Sequence, residues 1–265
     1  MSDITISAVK GDRRQSAAIN ALKRYFTVKE FEFPSSGAAG CDVLFIPMLA
    51  NEGSFETVCR TLKDGALVLG GRIPESVRAF FESRGYRVKD YADDDALKVR
   101  NALPTAEGVI GIAIRDTDRV ISGSNVLITG YGCCASQCAR LFSLLGAKAV
   151  IAARAPLQRE SAKASGCGAV DIGHIGDVIQ NADIVVNTVP SQIIGKREIE
   201  RSKPDALFIE IASFPFGIDR QAAAELQRRF VHAPGLPGKC APITSGEYIA
   251  DTVKEILLND KEGER

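Results

Sequence analysis

Asn125-Val126-Leu127-Ile128-Thr129-Gly130-Tyr131-Gly132-Cys133-Cys134-Ala135 is the stretch that decides the fold. An apolar run of strand length leads into two glycines one residue apart, and a helical pattern from Ser136 through Leu145 follows at once. Strand, tight turn and helix in this order make a dinucleotide-binding unit. The first glycine permits the turn, the second lets the backbone approach a pyrophosphate, and a small third residue, Ala135, lets helix and strand pack closely. The unpaired N–H groups of the first helical turn then face the phosphates. Gly130, Tyr131, Gly132, Cys133, Cys134 and Ala135 are thus expected to line a dinucleotide. The glycines alone would fit a plain structural turn equally well; the next strand, Lys148 to Ala153, adds the missing context, because it ends at Arg154.

An Asp or Glu about 20 residues past such a turn holds the 2′-hydroxyl of NAD. Arg154 stands there instead. A guanidinium suits a 2′-phosphate through charge-assisted, bidentate bonds and can stack on adenine, so NADP is the expected cofactor, with NAD as the alternative and Arg159 as a second clamp. The plainer reading of Arg154 is a solvated surface residue.

At 265 residues the chain suits two domains sharing a cleft. Lys plus Arg and Asp plus Glu both number 33, so no net field recruits nucleic acid or an acidic membrane. Seven cysteines at irregular spacing, with no signal peptide recognised, make a poor disulfide framework and point to reduced thiols in the cytoplasm. No apolar run reaches membrane-spanning length. Cys134 and Cys138 lie one helical turn apart, but no second pair or nearby His completes a metal site, so they read as small packing residues and no metal is expected.

The pattern is α/β: two open parallel-sheet domains, the second a Rossmann-type dinucleotide-binding domain, joined by a connecting helix. In the first, Ile4–Val9 reads as a strand, Gln15–Tyr25 as a helix, Asp42–Pro47 as a buried strand, Ser54–Arg60 as a helix start and Ala66–Leu69 as a strand. Pro74–Arg84 reads as a helix with its proline in the first turn, and Tyr86–Asp90 as a strand. Residues 1–100 are expected to be a flavodoxin-like substrate domain, with the C-terminal helix at 243–260 a candidate to complete it. Residues 101–242 are expected to be the Rossmann domain, including a connecting helix at 101–116 that a loop, Ala102–Gly108, enters. Its later strands are Asp183–Thr188, Ala206–Ile211 and Phe230–His232. No internal repeat is visible, and Asp260–Arg265 reads as a frayed charged tail.

Lys10-Gly11-Asp12-Arg13-Arg14-Gln15, Ala102-Leu103-Pro104-Thr105-Ala106-Glu107-Gly108, Gly130-Tyr131-Gly132, Asn187-Thr188-Val189-Pro190 and Ala233-Pro234-Gly235-Leu236-Pro237-Gly238 together resemble, in order and context, the family of the A component of dipicolinate synthase. The resemblance runs through essentially the whole chain, with departures at Arg13, Cys133-Cys134 and Lys239. It implies an NAD(P)-dependent oxidoreductase of the sporulation branch from lysine biosynthesis, in the mother-cell cytoplasm of a spore former. It also implies the smaller, flavoprotein-like B component of dipicolinate synthase as partner, and oxidation of a dihydro- or 4-hydroxytetrahydro-dipicolinate to pyridine-2,6-dicarboxylate. A homo-oligomer is left open.

A substrate of that kind needs cationic or N–H partners for two carboxylates, and aromatisation requires loss of a hydride and a proton. Arg14, just past the first strand, is the candidate carboxylate partner; its plain alternative is a surface arginine. Thr105 either donates to substrate or caps the connecting helix. Glu107 is the candidate general base if its surroundings desolvate it. Thr188, Val189 and Pro190, after Asn187, are expected along the nicotinamide ribose, and Ser213 beside the nicotinamide, or in a turn. His232 is an acid–base candidate, with a structural strand end as its alternative. Gly235 opens a Gly-Leu-Pro-Gly stretch expected to form a rigid wall under the nicotinamide. His174 is expected at the surface. The competing reading is a nucleotide-binding regulatory or scaffold component whose partner does the redox step, because no His–carboxylate pair stands out.

Overall fold

The computed structural model describes residues 4–32, 40–49, 55–60 and 62–263, with side chains described as far as 260. Ser54, the expected start of one helix, and the end of the expected tail lie outside these residues. The chain divides into two compact units, Met1–Asn101 with Ala241–Arg265, and Ala102–Cys240.

The first unit runs β1 (Thr5–Val9), α1 (Arg13–Leu22), β2 (Thr27–Phe31), β3 (Val43–Phe45), α2 (Phe55–Cys59), β4 (Leu67–Gly70), α3 (Glu75–Glu82) and β5 (Arg87–Asp90). Every pairing is parallel, in the order β2-β1-β3-β4-β5, the doubly wound arrangement of flavodoxin-like sheets. The central strands β3 and β4 are apolar throughout and buried on both faces, as a covered parallel sheet requires. The edge strand β2, Thr-Val-Lys-Glu-Phe, is mostly exposed, so it carries no hydrophobic signature and the sequence did not reveal it.

Helix α4 (Asp95–Asp116) carries the chain from the first unit into the second. It is helical through Pro104, so the expected loop at 102–108 does not exist. An interior proline removes a hydrogen bond and costs about 3 kcal/mol. Burial of the stripe Ala102, Ala106, Val109 and Ala113 offsets that cost. Thr105 therefore lies inside a helix and caps nothing.

The second unit continues with β6 (Asn125–Thr129), α5 (Cys133–Leu144), β7 (Lys148–Ala153), α6 (Pro156–Ala164), β8 (Gly168–Asp171), α7 (Ile175–Val178), β9 (Ile184–Asn187), α8 (Lys196–Arg201), β10 (Leu207–Glu210), α9 (Arg220–Glu225), β11 (Arg229–His232) and α10 (Leu236–Cys240). Its sheet, also wholly parallel, is ordered β11-β10-β9-β6-β7-β8. Strand order reverses between β6 and β9, which makes their carboxyl ends the ligand-binding edge of such a sheet. Cys138 is fully buried in the core behind α5, the packing role expected of it.

The last helix, α11 (Pro242–Gly263), returns to the first unit, where Ile249, Ala250 and Val253 share a core with Ala18, Ile19 and Leu22 of α1. Asp260 is no frayed tail residue: its carboxylate binds Arg87 and Lys89 of β5, each at 2.7 Å. Among the described residues no helix is long and apolar enough to cross a membrane.

The two sheets share a construction that the sequence did not reveal as a repeat. Asp42, one residue before β3, accepts from the Thr5 N–H at 2.8 Å and from Lys63 Nζ at 2.6 Å. Asp183, one residue before β9, accepts from the Asn125 N–H at 2.8 Å and from Lys203 Nζ at 2.7 Å. Each aspartate ties the start of its unit's first strand to the segment before the strand that follows its own, β4 in the first unit and β10 in the second.

Candidate dinucleotide and substrate site

Gly130 closes β6 at φ +80°, a left-handed conformation open to glycine at little cost. A Cβ there would meet Thr188 Oγ1 and Val189 Cγ2, each at 2.9 Å, so the β6 and β9 turns touch at this residue. Gly132 is the N-cap of α5; it makes no side-chain cap, and a Cβ on it would meet nothing within 4 Å. The first turn of α5 thus presents its N–H groups to open space, the arrangement that receives a phosphate. Ala135 is fully buried in the core behind the turn, as close helix–strand packing requires. Tyr131 donates to Ser165 Oγ at 3.1 Å, and Cys133 is exposed beside Gly132.

Cys134 is half-buried. Burial pushes its thiol up, and the Thr105 hydroxyl, which donates to the sulfur, partly offsets the rise. Thr105 is thereby brought to the glycine turn.

At the end of β7, Arg154 is exposed, and its side chain has no hydrogen bond or ion pair among the described residues. Arg159 is placed otherwise than a clamp needs. Its Nη1 donates to the carbonyls of Ala153 at 2.8 Å and Arg154 at 2.7 Å, and to Asp171 Oδ2 at 2.6 Å. These bonds hold the backbone that carries Arg154.

Three strand ends are joined by a polar network that sequence reasoning missed. Thr129 Oγ1 donates to Asn187 Oδ1 at 2.5 Å, and Asn187 Nδ2 donates to Glu210 Oε1 at 2.7 Å and to the Val189 carbonyl at 3.0 Å. Glu210, 1 % exposed, also accepts from the N–H groups of Ala212 at 2.9 Å, Gly217 at 2.8 Å and Ile218 at 3.0 Å. A buried carboxylate survives only when its oxygens are satisfied in this way. Thr188 Oγ1 donates to the Thr129 carbonyl at 2.7 Å, and Pro190 is exposed at the rim. A Glu closing an apolar strand was the available signal.

Ser213 is exposed, and its carbonyl accepts from the Phe216 N–H at 3.0 Å, so it forms the turn that was its plain alternative. His232 is exposed at the end of β11 with Phe216 edge-on, ring centroids 4.9 Å apart. Glu107 and His232 line one cavity of about 510 Å³, together with Arg115 and Lys239. Glu107 is exposed, so the burial that would favour a base is missing. Gly235 has φ +66°, but the expected wall is instead the helical turn α10, in which Leu236 is buried. His174 is exposed as expected.

Arg14 belongs to the first unit and lies within α1, not before it. Its side chain is only 14 % exposed, and its guanidinium donates to Asp12 Oδ2 at 3.1 Å.

A parallel sheet with a glycine turn, an uncapped helix and a strand-end arginine defines a nicotinamide-dinucleotide-binding protein, and the comparisons with known proteins agree. The chain belongs to the family described as S-adenosyl-L-homocysteine hydrolase, NAD binding domain, which matches residues 101–233. Within that class the resemblance drawn from the motifs holds: the chain is 33 % identical to the A component of dipicolinate synthase of Bacillus subtilis (strain 168) over 170 residues. That match covers 64 % of this chain and 57 % of the relative's length. A solved structure of the dipicolinate synthase A component from Bacillus subtilis has a TM-score of 0.88 at 23 % identity, covering 100 % of this chain and 99 % of that one. Its counterpart from Bacillus halodurans has a TM-score of 0.87 at 23 % identity, covering 96 % and 97 %. At that identity the two structures establish the fold, and the matched family implies a nicotinamide cofactor.

Proposed function

We propose that the chain is the A component of a dipicolinate synthase, oxidising a dihydrodipicolinate, or a 4-hydroxytetrahydro-dipicolinate that also loses its hydroxyl as water, to pyridine-2,6-dicarboxylate with NADP as acceptor. The observation that carries this reading is the 33 % identity to the Bacillus subtilis A component. Arg154, exposed and unpartnered among the described residues, supports NADP over NAD. By the same relation the partner is the flavoprotein-like B component and the setting is the sporulating mother cell.

When bound, the nicotinamide accepts the hydride. Aromatisation supplies driving force, so the protein chiefly orients. In this reading Gly130, Gly132 and the first turn of α5 hold the pyrophosphate, and Thr188, Val189 and Pro190 flank the ribose. Glu107 or His232 takes the ring proton.

One feature favours the alternative of a nucleotide-binding scaffold: His232 has no carboxylate hydrogen-bonded to it among the described residues. NADPH formation by the purified chain from an enzymatically generated dihydrodipicolinate pool separates the two. Production without the B component supports the oxidoreductase. Production only in its presence, by a chain that still binds NADP, supports the scaffold.

A further inference from the structure

Glu210 spends both carboxylate oxygens on the segment from Ala212 to Ile218 and its anchor Asn187, and that segment presents aromatic rings. Phe214 is 81 % exposed although it sits on a firmly held loop. Its ring stands edge-on to Phe216, centroids 5.7 Å apart at 89°, and Phe216 stands edge-on to His232 at 4.9 Å and 72°. Phe216 has φ +64°, a conformation in which a bulky residue persists only when its surroundings enforce it. A Cβ on Gly217 would collide with the Asn187 amide, so the loop packs directly on the polar network. This loop leaves the carboxyl end of β10 and leans on that of β11, on the edge where open α/β sheets bind ligands.

His232 also faces the cavity of about 510 Å³ that Lys239 lines, and the Lys239 ammonium has no partner among the described residues. His232 thus lies between the aromatic loop and a cavity lined by Lys239, Arg115 and Glu107. We propose that Phe214, Phe216 and His232 form an aromatic platform for the planar ring of a ring dicarboxylate, one ring stacking on its face while the edge-on neighbours border it, with Lys239 receiving one of its carboxylates. The inference rests on the functional reading above and names the substrate subsite within it. Stacking selects a flat, unsaturated ring over a puckered saturated one, and so favours an aromatising substrate.

The test titrates pyridine-2,6-dicarboxylate and cyclohexane-1,3-dicarboxylate, which carry equal charge, into the full chain saturated with NADP. The wild type binds the aromatic acid more tightly. Phe214→Leu and Phe216→Leu each weaken it about three- to tenfold while leaving the saturated acid and NADP unchanged. Phe216→Tyr keeps the preference, and Lys239→Gln weakens both acids alike. Phe214 is too exposed for its replacement to disturb the core, so that variant is informative even where Phe216→Leu misfolds. Unchanged aromatic affinity in the leucine variants, with a wild type that turns over, overturns the platform and leaves the functional reading standing. Lost NADP affinity in those variants gives the rings to the nicotinamide and also overturns it. A wild type that binds neither acid and forms no NADPH removes reading and platform together.

Discussion

The two units build the amino edges of their sheets alike and their carboxyl edges differently. Asp42 and Asp183 perform the same tie in the same register. After the first strand the designs part. In the first unit Asp12 caps α1, its side chain accepting from the Gln15 N–H at 2.9 Å, and a Cβ on Gly11 would already press on Gln15 and Pro47 at 3.0 Å. In the second unit Gly132 leaves α5 without a side-chain cap and with open space before it. A carboxylate at a helix N-terminus satisfies the N–H groups that a phosphate would use. One scaffold therefore leaves the α5 terminus open and closes that of α1, through the exchange of Asp12 for Gly132 at the N-cap.

The largest effect should come from filling the open terminus. Gly132→Val is expected to reduce dinucleotide affinity more than about a hundredfold, by occupying the pyrophosphate's space. The melting temperature should hardly move, since nothing lies within 4 Å of the added Cβ. Titration calorimetry beside a thermal melt checks both halves; retained affinity would make the glycine turn merely structural.

The shared aspartates come next. Burial alone would raise Asp183, but Lys203 and the Asn125 N–H hold its carboxyl below the ordinary range. A depressed folded value contributes stability above the unfolded pKa of about 3.9 and loses it as pH falls through the folded value. Asp183→Asn should thus cost about 2 kcal/mol at pH 7, and the gap from wild type should shrink on acidification through the carboxylate range. Asp42→Asn should cost less, about 1 kcal/mol, because its side chain is 35 % exposed against 9 % for Asp183. Urea melts of both variants at neutral and acid pH test the ranking, and equal losses would contradict it.

Arg154→Asp should weaken NADP about tenfold or more and improve NAD, through loss of a charge-assisted pair of roughly 1.5–3 kcal/mol. Parallel titrations with both cofactors decide it; unchanged affinities would return Arg154 to the solvated surface. The smallest effect is the mirror of the first. Asp12→Ala should cost about 1 kcal/mol of stability as a lost cap and leave NADP affinity untouched, which a melt and the same titration would show.

The sequence displayed what obeys local rules. β6, the glycine turn, α5 and β7 were readable because strand apolarity, turn glycines and helix periodicity agree there. Elements that depend on tertiary context were hidden. β8, Gly-Ala-Val-Asp, is a half-exposed edge strand with no distinctive pattern. Pro104 read as a break, because the buried stripe that carries α4 through it is visible only in the packing. Arg159 and Arg154 look equivalent on paper, and only the carbonyls of Ala153 and Arg154 separate a brace from a free guanidinium. Glu210 resembled a charge at a strand end; its four donors come from residues 2 to 23 positions away.

The return of α11 to the first unit bears on how the protein is made. A ribosome finishes Met1–Asn101 and then the whole of Ala102–Cys240 before it supplies the helix that covers α1. At about 5–20 residues per second the first unit waits roughly 10–30 s with the apolar face of α1, Ala18, Ile19 and Leu22, uncovered. The later-synthesised unit is thus the first able to close its core. During translation the nascent N-terminal segment is the part that a chaperone would have to shield.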